Sequence, residues 1–238
     1  MIIAANFKMH LTPHKLATFA ATLRESLDSR LLVLLFPNTA CLANLPQCPV
    51  RWGAQNAYPA QNGAFSGEIG AEVLESLAIQ TLLVGHSERR ALGESQDFCA
   101  QKCRFYAERG FTVVYCIGEP QDVRASGCEA VRAFLGAQLQ GIPLGDSNLI
   151  IAYEPIWAIG TQAASMEQIE QTHADIKALC AARGATPPLL YGGSVKPNNA
   201  QAILSLDNVD GVLVGSAALV VSDFVQIMQA GLRALERA

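Results

Sequence analysis

Eight short apolar runs recur along this chain, at Ile2 to Ala5, Leu32 to Phe36, Trp52 to Ala54, Leu82 to Gly85, Val113 to Ile117, Leu149 to Tyr153, Leu189 to Tyr191 and Gly211 to Val214. Helical patterns lie between them, clearest at Lys15 to Leu27, Ala71 to Leu77, Asp97 to Arg109, Glu129 to Leu139, Met166 to Arg183, Asn199 to Leu206 and Asp223 to Leu235. Runs that are apolar on successive residues are buried on both faces, as parallel strands covered by helices are. Eight strand–helix units close naturally into a (β/α)8 barrel, and 238 residues suit one such α/β domain over residues 1–238. The rival is an open doubly wound sheet. It would carry a Gly-rich fingerprint after the first strand, where this chain has Asn6-Phe7-Lys8-Met9-His10.

In a barrel of this kind the chemistry sits at the C-terminal ends of the strands. The polar residues there form a coherent set: Asn6 and Lys8 after the first strand, His86-Ser87-Glu88 after the fourth, and Glu154 after the sixth. Gly192-Gly193-Ser194 follows the seventh and Gly215-Ser216 the eighth. Glu154 closes an apolar strand and precedes Pro155 and the apolar Ile156-Trp157-Ala158-Ile159, with Gly160 at the far end. A lid of that kind would dry the carboxylate and raise its basicity, so Glu154 is the expected general base for a proton on carbon beside a carbonyl. His86 is the expected electrophile and Lys8 the fixed positive charge at a developing enediolate. Glu88 is expected to pair with Lys8 or Arg89, in a supporting role with Ser87. The glycines and serines after strands seven and eight fit a phosphate cradle of backbone N–H groups.

Composition narrows the classes. The net charge is −4 with no Lys/Arg cluster, which predicts neither a nucleic-acid nor an anionic-membrane surface. No apolar run is long enough to cross a bilayer, and Met1 is followed at once by the strand-like Ile2-Ile3-Ala4-Ala5 with no basic n-region or cleavage site. The expectation is a cytoplasmic protein. Its seven cysteines are odd in number, scattered, and several lie in apolar segments, which predicts reduced thiols. Cys99 and Cys103 stand four apart on a helical pattern, but no His or second Cys pair has zinc-site spacing, and no metal is expected.

Several segments are specific enough to carry a resemblance. They are Asn6-Phe7-Lys8, Gly53-Ala54-Gln55-Asn56, Gly63 to Glu68, Gly85-His86-Ser87-Glu88-Arg89-Arg90, Cys116-Ile117-Gly118-Glu119, Ala152 to Thr161, Tyr191 to Val195 and Leu213-Val214-Gly215. With them the chain resembles the triosephosphate isomerase family from end to end. The resemblance implies a (β/α)8 TIM barrel that interconverts dihydroxyacetone phosphate and D-glyceraldehyde 3-phosphate, in glycolysis and gluconeogenesis, with no cofactor and no metal. It implies that Asn6 and Lys8 bind substrate, that His86 is the electrophile and Glu154 the base, and that Gly160, Ser194, Gly215 and Ser216 hold the phosphate. It also implies a homodimer in which the loop Gln55 to Gly67, with Tyr58, Phe65 and Ser66, inserts into the neighbouring copy.

The chain departs from the family pattern in places. Gln162 and Ala163 follow Thr161 where a glycine and often a lysine stand, and Ser216 replaces a second glycine after the last strand. Pro188 and Asn208 occupy the positions of a customary arginine and its acidic partner, so an ion pair is lost from both sides at once, which strands no buried charge. Two further readings remain at this point. One is a phosphate-binding aldolase with Lys8 as a Schiff-base nucleophile; the other is a catalytically silent barrel acting as a scaffold.

Overall fold

The computed structural model describes residues 1–159 and 163–237. Eight parallel strands, β1 (Ile2–Asn6), β2 (Leu32–Phe36), β3 (Arg51–Trp52), β4 (Thr81–Val84), β5 (Thr112–Ile117), β6 (Leu149–Tyr153), β7 (Leu189–Tyr191) and β8 (Gly211–Val214), pair in the order β3-β2-β1-β8-β7-β6-β5-β4. The ring closes between β3 and β4 through the bridge Ala54–Leu82 alone. This is a (β/α)8 barrel.

Side-chain alternation along each strand sorts the core into two layers. Ala4, Leu34, Leu83, Val114, Ile150, Leu190 and Leu213 pack together inside the ring. Their neighbours, such as Ile3, Ala5, Val33, Val113, Ile151 and Val212, belong to the larger core beneath the helices. The same parity carried past the strand ends aims Asn6, Glu154 and Gly192 inward at the barrel mouth.

Around the strands lie α1 (Pro13–Arg24), α2 (Ala71–Ser76), α3 (Ser87–Ala91), α4 (Gln96–Ala107), α5 (Gln121–Ala125), α6 (Cys128–Gln138), α7 (Met166–Ala181), α8 (Pro197–Leu204) and α9 (Val221–Leu235). Local caps explain the sharpest starts. Thr12 accepts from the Lys15 N–H ahead of Pro13, and Ser165 and Gln168 form a reciprocal capping box.

The structure corrects several expected boundaries. The third strand ends at Trp52 rather than Ala54, because the Gly53 N–H still bonds Leu35 O of β2 at 2.9 Å whereas the Ala54 N–H turns to Thr81 O of β4. The first helix runs Pro13–Arg24, two residues earlier at its start and three at its end than the pattern predicted. The short helices α3 and α5 were not anticipated, since five residues are too few to show an apolar period. At Pro188 and Asn208 the structure offers a substitute for the missing pair: Lys177 Nζ lies 2.5 Å from Asp210 Oδ2, which also accepts the Leu189 N–H at 2.7 Å.

Candidate active site

The barrel mouth holds a cleft of about 310 Å³ lined by Asn6, Lys8, His86, Glu88, Glu154, Gly192, Ser194, Gly215 and Ser216, with Ile159, Val195, Leu213 and Leu219 as its apolar wall. Of the strand-end residues singled out in the sequence, ten, Gly193 included, therefore line one cavity. Gly160, with Thr161 and Gln162, lies outside the described residues. Ser87 lies behind the mouth, beside Arg90, Cys116, Gly118, Gln138 and Glu154.

Glu154 and His86 are 5% and 4% exposed, and His86 Nε2 stands 3.4 Å from Glu154 Oε1. Glu154 Oε2 is buried and finds no hydrogen-bond partner among the described residues. Two close approaches fix the glutamate. A β-carbon on Gly192 would meet Glu154 Cγ at 2.6 Å, so only glycine leaves the side chain its place. On the other side the Glu154 N–H donates to Ile117 O at 2.7 Å.

His86 caps the N-terminus of α3, where its Nδ1 accepts the Glu88 N–H at 3.2 Å. An Nδ1 that accepts leaves the proton of a neutral ring on Nε2, pointing toward Glu154 and the cleft. Burial by itself disfavours the imidazolium. The Glu154 carboxylate outweighs it, with Glu88 adding to the same side and Lys8 opposing, and the His86 pKa moves up from its ordinary value.

Lys8 is held in a left-handed backbone conformation at φ 50°. Such a conformation is uncommon for a residue with a β-carbon. Two side chains hold it there: the Lys8 N–H donates to Asn6 Oδ1 at 3.0 Å, and Gln55 Nε2 donates at 2.9 Å to both Lys8 O and Phe36 O. Its ammonium is 2.7 Å from Glu88 Oε1, which sets a fixed positive charge at the rim. Burial, with Glu154 close by, pushes the Cys116 thiol well up, so it stays protonated and a poor nucleophile.

The residues expected to cradle a phosphate come together at the ends of β7 and β8. Ser194 is half-buried and Ser216 is exposed at the start of a single 3-10 turn, Ser216–Leu219. Among the described residues no three His, Cys, Asp or Glu side chains are grouped as a metal ion requires.

One arrangement escaped the sequence reading. Glu119 is fully buried, and its Oε1 accepts from Trp157 Nε1 at 2.8 Å, Arg124 Nε at 2.8 Å and Tyr153 OH at 3.1 Å. It anchors the first turn of the segment after Glu154 to the end of β5. The only signal in the sequence was the unexplained Glu119 in Cys116-Ile117-Gly118-Glu119.

Comparison with known proteins gives this geometry its context. The family described as triosephosphate isomerase matches residues 1–231. Proteins named triosephosphate isomerase from Helicobacter hepaticus and Wolinella succinogenes are each 51% identical to this chain, over 236 and 235 residues, covering 96% of it and 98% and 99% of their own lengths. The triosephosphate isomerase of Sulfurimonas denitrificans is 48% identical over 229 residues, 94% of this chain and 93% of its own.

Proposed function

The chain belongs to the triosephosphate isomerase family, and from that premise we propose that Glu154, His86 and Lys8 carry the family's reaction in the cleft just described. The enzyme interconverts dihydroxyacetone phosphate and D-glyceraldehyde 3-phosphate, a step of glycolysis and gluconeogenesis. The observation that carries the assignment of roles is the buried pair His86 Nε2 and Glu154 Oε1 at 3.4 Å, at the mouth of a cleft that Lys8 borders.

Glu154 takes a proton from the carbon beside the carbonyl, and the electron pair of that C–H bond forms the enediolate. The His86 Nε2–H donates to the oxygen where negative charge grows, and Lys8 stabilises the same charge through a dry medium. Glu154 then returns the proton to the neighbouring carbon, while His86, having given its Nε2 proton to the former carbonyl oxygen, takes up the hydroxyl proton of the other oxygen, which becomes the new carbonyl. Ser194, Gly215 and Ser216 hold the phosphate with backbone N–H groups, joined by Gly160 of the lid, while Asn6 fixes Lys8 and Glu88 keeps its ammonium in place. Glu88 also counts against Lys8 as a Schiff-base nucleophile, since an ion-paired ammonium is no nucleophile. No cofactor or metal enters any step.

The same reading extends to assembly and place. Residues 1–238 act as one barrel domain, and two copies form a homodimer through the loop Gln55 to Gly67. Met9 and Leu92, 94% and 76% exposed, flank a groove of about 350 Å³ beside Lys8 and Glu88 that would receive the partner's loop. Phe65, stacked on Tyr58 with ring centroids 4.0 Å apart and 41% exposed, supplies an apolar tip. Among the described residues no helix is long and apolar enough to cross a membrane, and the cysteines are free and mostly buried. Both features support a cytoplasmic enzyme.

The test is turnover of D-glyceraldehyde 3-phosphate without added metal or cofactor, beside Glu154→Gln. Substrate binding should persist in the variant while turnover falls by several orders of magnitude, of which base catalysis alone accounts for about 10²- to 10⁴-fold. Wild-type turnover by Glu154→Gln would refute the role given to Glu154.

A further inference from the structure

Behind the mouth, a set of buried and part-buried hydrogen bonds runs from the loop that carries His86 to the strand end that carries Glu154. It starts at Arg90, whose Nε donates to Gly85 O at 2.7 Å, directly before His86. Arg90 Nη2 donates at 2.9 Å to Tyr115 OH, and that hydroxyl donates at 2.6 Å to Gln138 O at the end of α6. Gln96 braces the same point, its Nε2 donating to Gln138 O at 2.7 Å.

The last link is the Gln138 side chain, which is only 8% exposed on average over the residue. Its Oε1 accepts the Gly118 N–H at 2.8 Å and its Nε2 donates to Gly118 O at 3.3 Å, so one carboxamide brackets one glycine from both sides. Gly118 in turn lies flat against the backbone of Glu154, where a β-carbon would stand 1.8 Å from Glu154 O. Displacing Gly118 must therefore displace the glutamate's backbone, or open a gap beside it.

We infer that Gln138 is a positioning residue for the isomerisation: through Gly118 it sets where Glu154 stands relative to His86. The inference rests on Glu154 being the base. Gln138 sits outside the cleft and touches no substrate, so its effect is carried by geometry alone. An error of about 1 Å in the placement of a catalytic group costs on the order of 10²-fold in rate.

Two variants test this. Gln138→Met keeps the length of the side chain and removes both hydrogen bonds; kcat should fall about 10- to 100-fold, while KM and competitive inhibition by inorganic phosphate, which report the cradle on the opposite side, stay within about twofold. Gln138→Glu supplies a chemical rescue. A neutral carboxylic acid both accepts and donates at Gly118, whereas the carboxylate only accepts and sets a negative oxygen against Gly118 O. The ratio of its kcat to wild type should fall toward the Gln138→Met value as pH rises and recover as pH is lowered. A kcat for Gln138→Met within twofold of wild type would overturn the inference, as would parallel losses of kcat, phosphate affinity and thermal stability. Should Gln138→Met not fold, a pH-independent ratio for Gln138→Glu decides against it. The two assignments fail separately: a fully active Glu154→Gln removes the base, whereas an inactive Glu154→Gln beside a fully active Gln138→Met removes only the role of Gln138.

Discussion

Gly118 approaches Glu154 more closely than any residue with a side chain could, since a β-carbon at Gly118 would lie 1.8 Å from the Glu154 carbonyl oxygen. The proposed base is thus backed by bare backbone from a neighbouring strand end. Gly118→Ala should move that carbonyl and lower kcat by about 10²-fold. Gly184→Ala makes the contrast: a β-carbon there meets nothing within 4 Å, but the backbone is left-handed at φ 72°. It should keep kcat and lose about 1–2 kcal/mol of stability. Steady-state kinetics and urea unfolding of the two variants separate the effects.

Trp157 ties the segment after Glu154 to buried Glu119, and the Arg124 guanidinium sits 5.5 Å from its ring centroid. In Trp157→Gly the indole and its hydrogen bond are both lost, and the seal over the enediolate loosens. The intermediate then expels phosphate more often, and the ratio of methylglyoxal to isomerised product should rise. An unchanged ratio would show that Trp157 takes no part in sealing.

Acid stability should bear the mark of His173. This fully buried ring on α7 has Nδ1 3.0 Å from Asn208 O and an Nε2 with no partner among the described residues. Burial pushes its pKa from 6.5 down to about 4. Folded protein keeps the ring neutral down to about pH 4, while the unfolded chain takes up a proton below about pH 6.5. The contribution is complete above 6.5 and is lost as pH falls between those values, at up to about 1.4 kcal/mol per pH unit. Urea midpoints at pH 4.5 and 7, at fixed protein concentration, should lie closer together in His173→Phe than in wild type.

Leu92→Asp probes the proposed homodimer. An apolar side chain buried at a two-fold interface counts once for each copy, at about 2 kcal/mol each. The dimer dissociation constant should rise by at least about 100-fold in sedimentation equilibrium. On a monomer the same exposed position would tolerate the charge without consequence.

The sequence by itself determined the eightfold alternation, and with it the barrel and its active end. Apolar strands and their flanking turn residues are local signals, and the parity that turns Asn6, Glu154 and Gly192 inward follows from a period of two. Lys8, His86 and Glu154 stood out as candidates for the same reason: each stands within two residues of a strand end. What only the tertiary structure decided is what stands behind those residues. Glu119 under Trp157, Gln55 under Lys8, and the path from Arg90 through Tyr115 and Gln138 to Gly118 join residues distant in the chain. No periodicity marks such partners. A buried carboxylate or carboxamide is stable only where distant donors and acceptors converge on it, and that convergence exists only once the strands have closed into a ring.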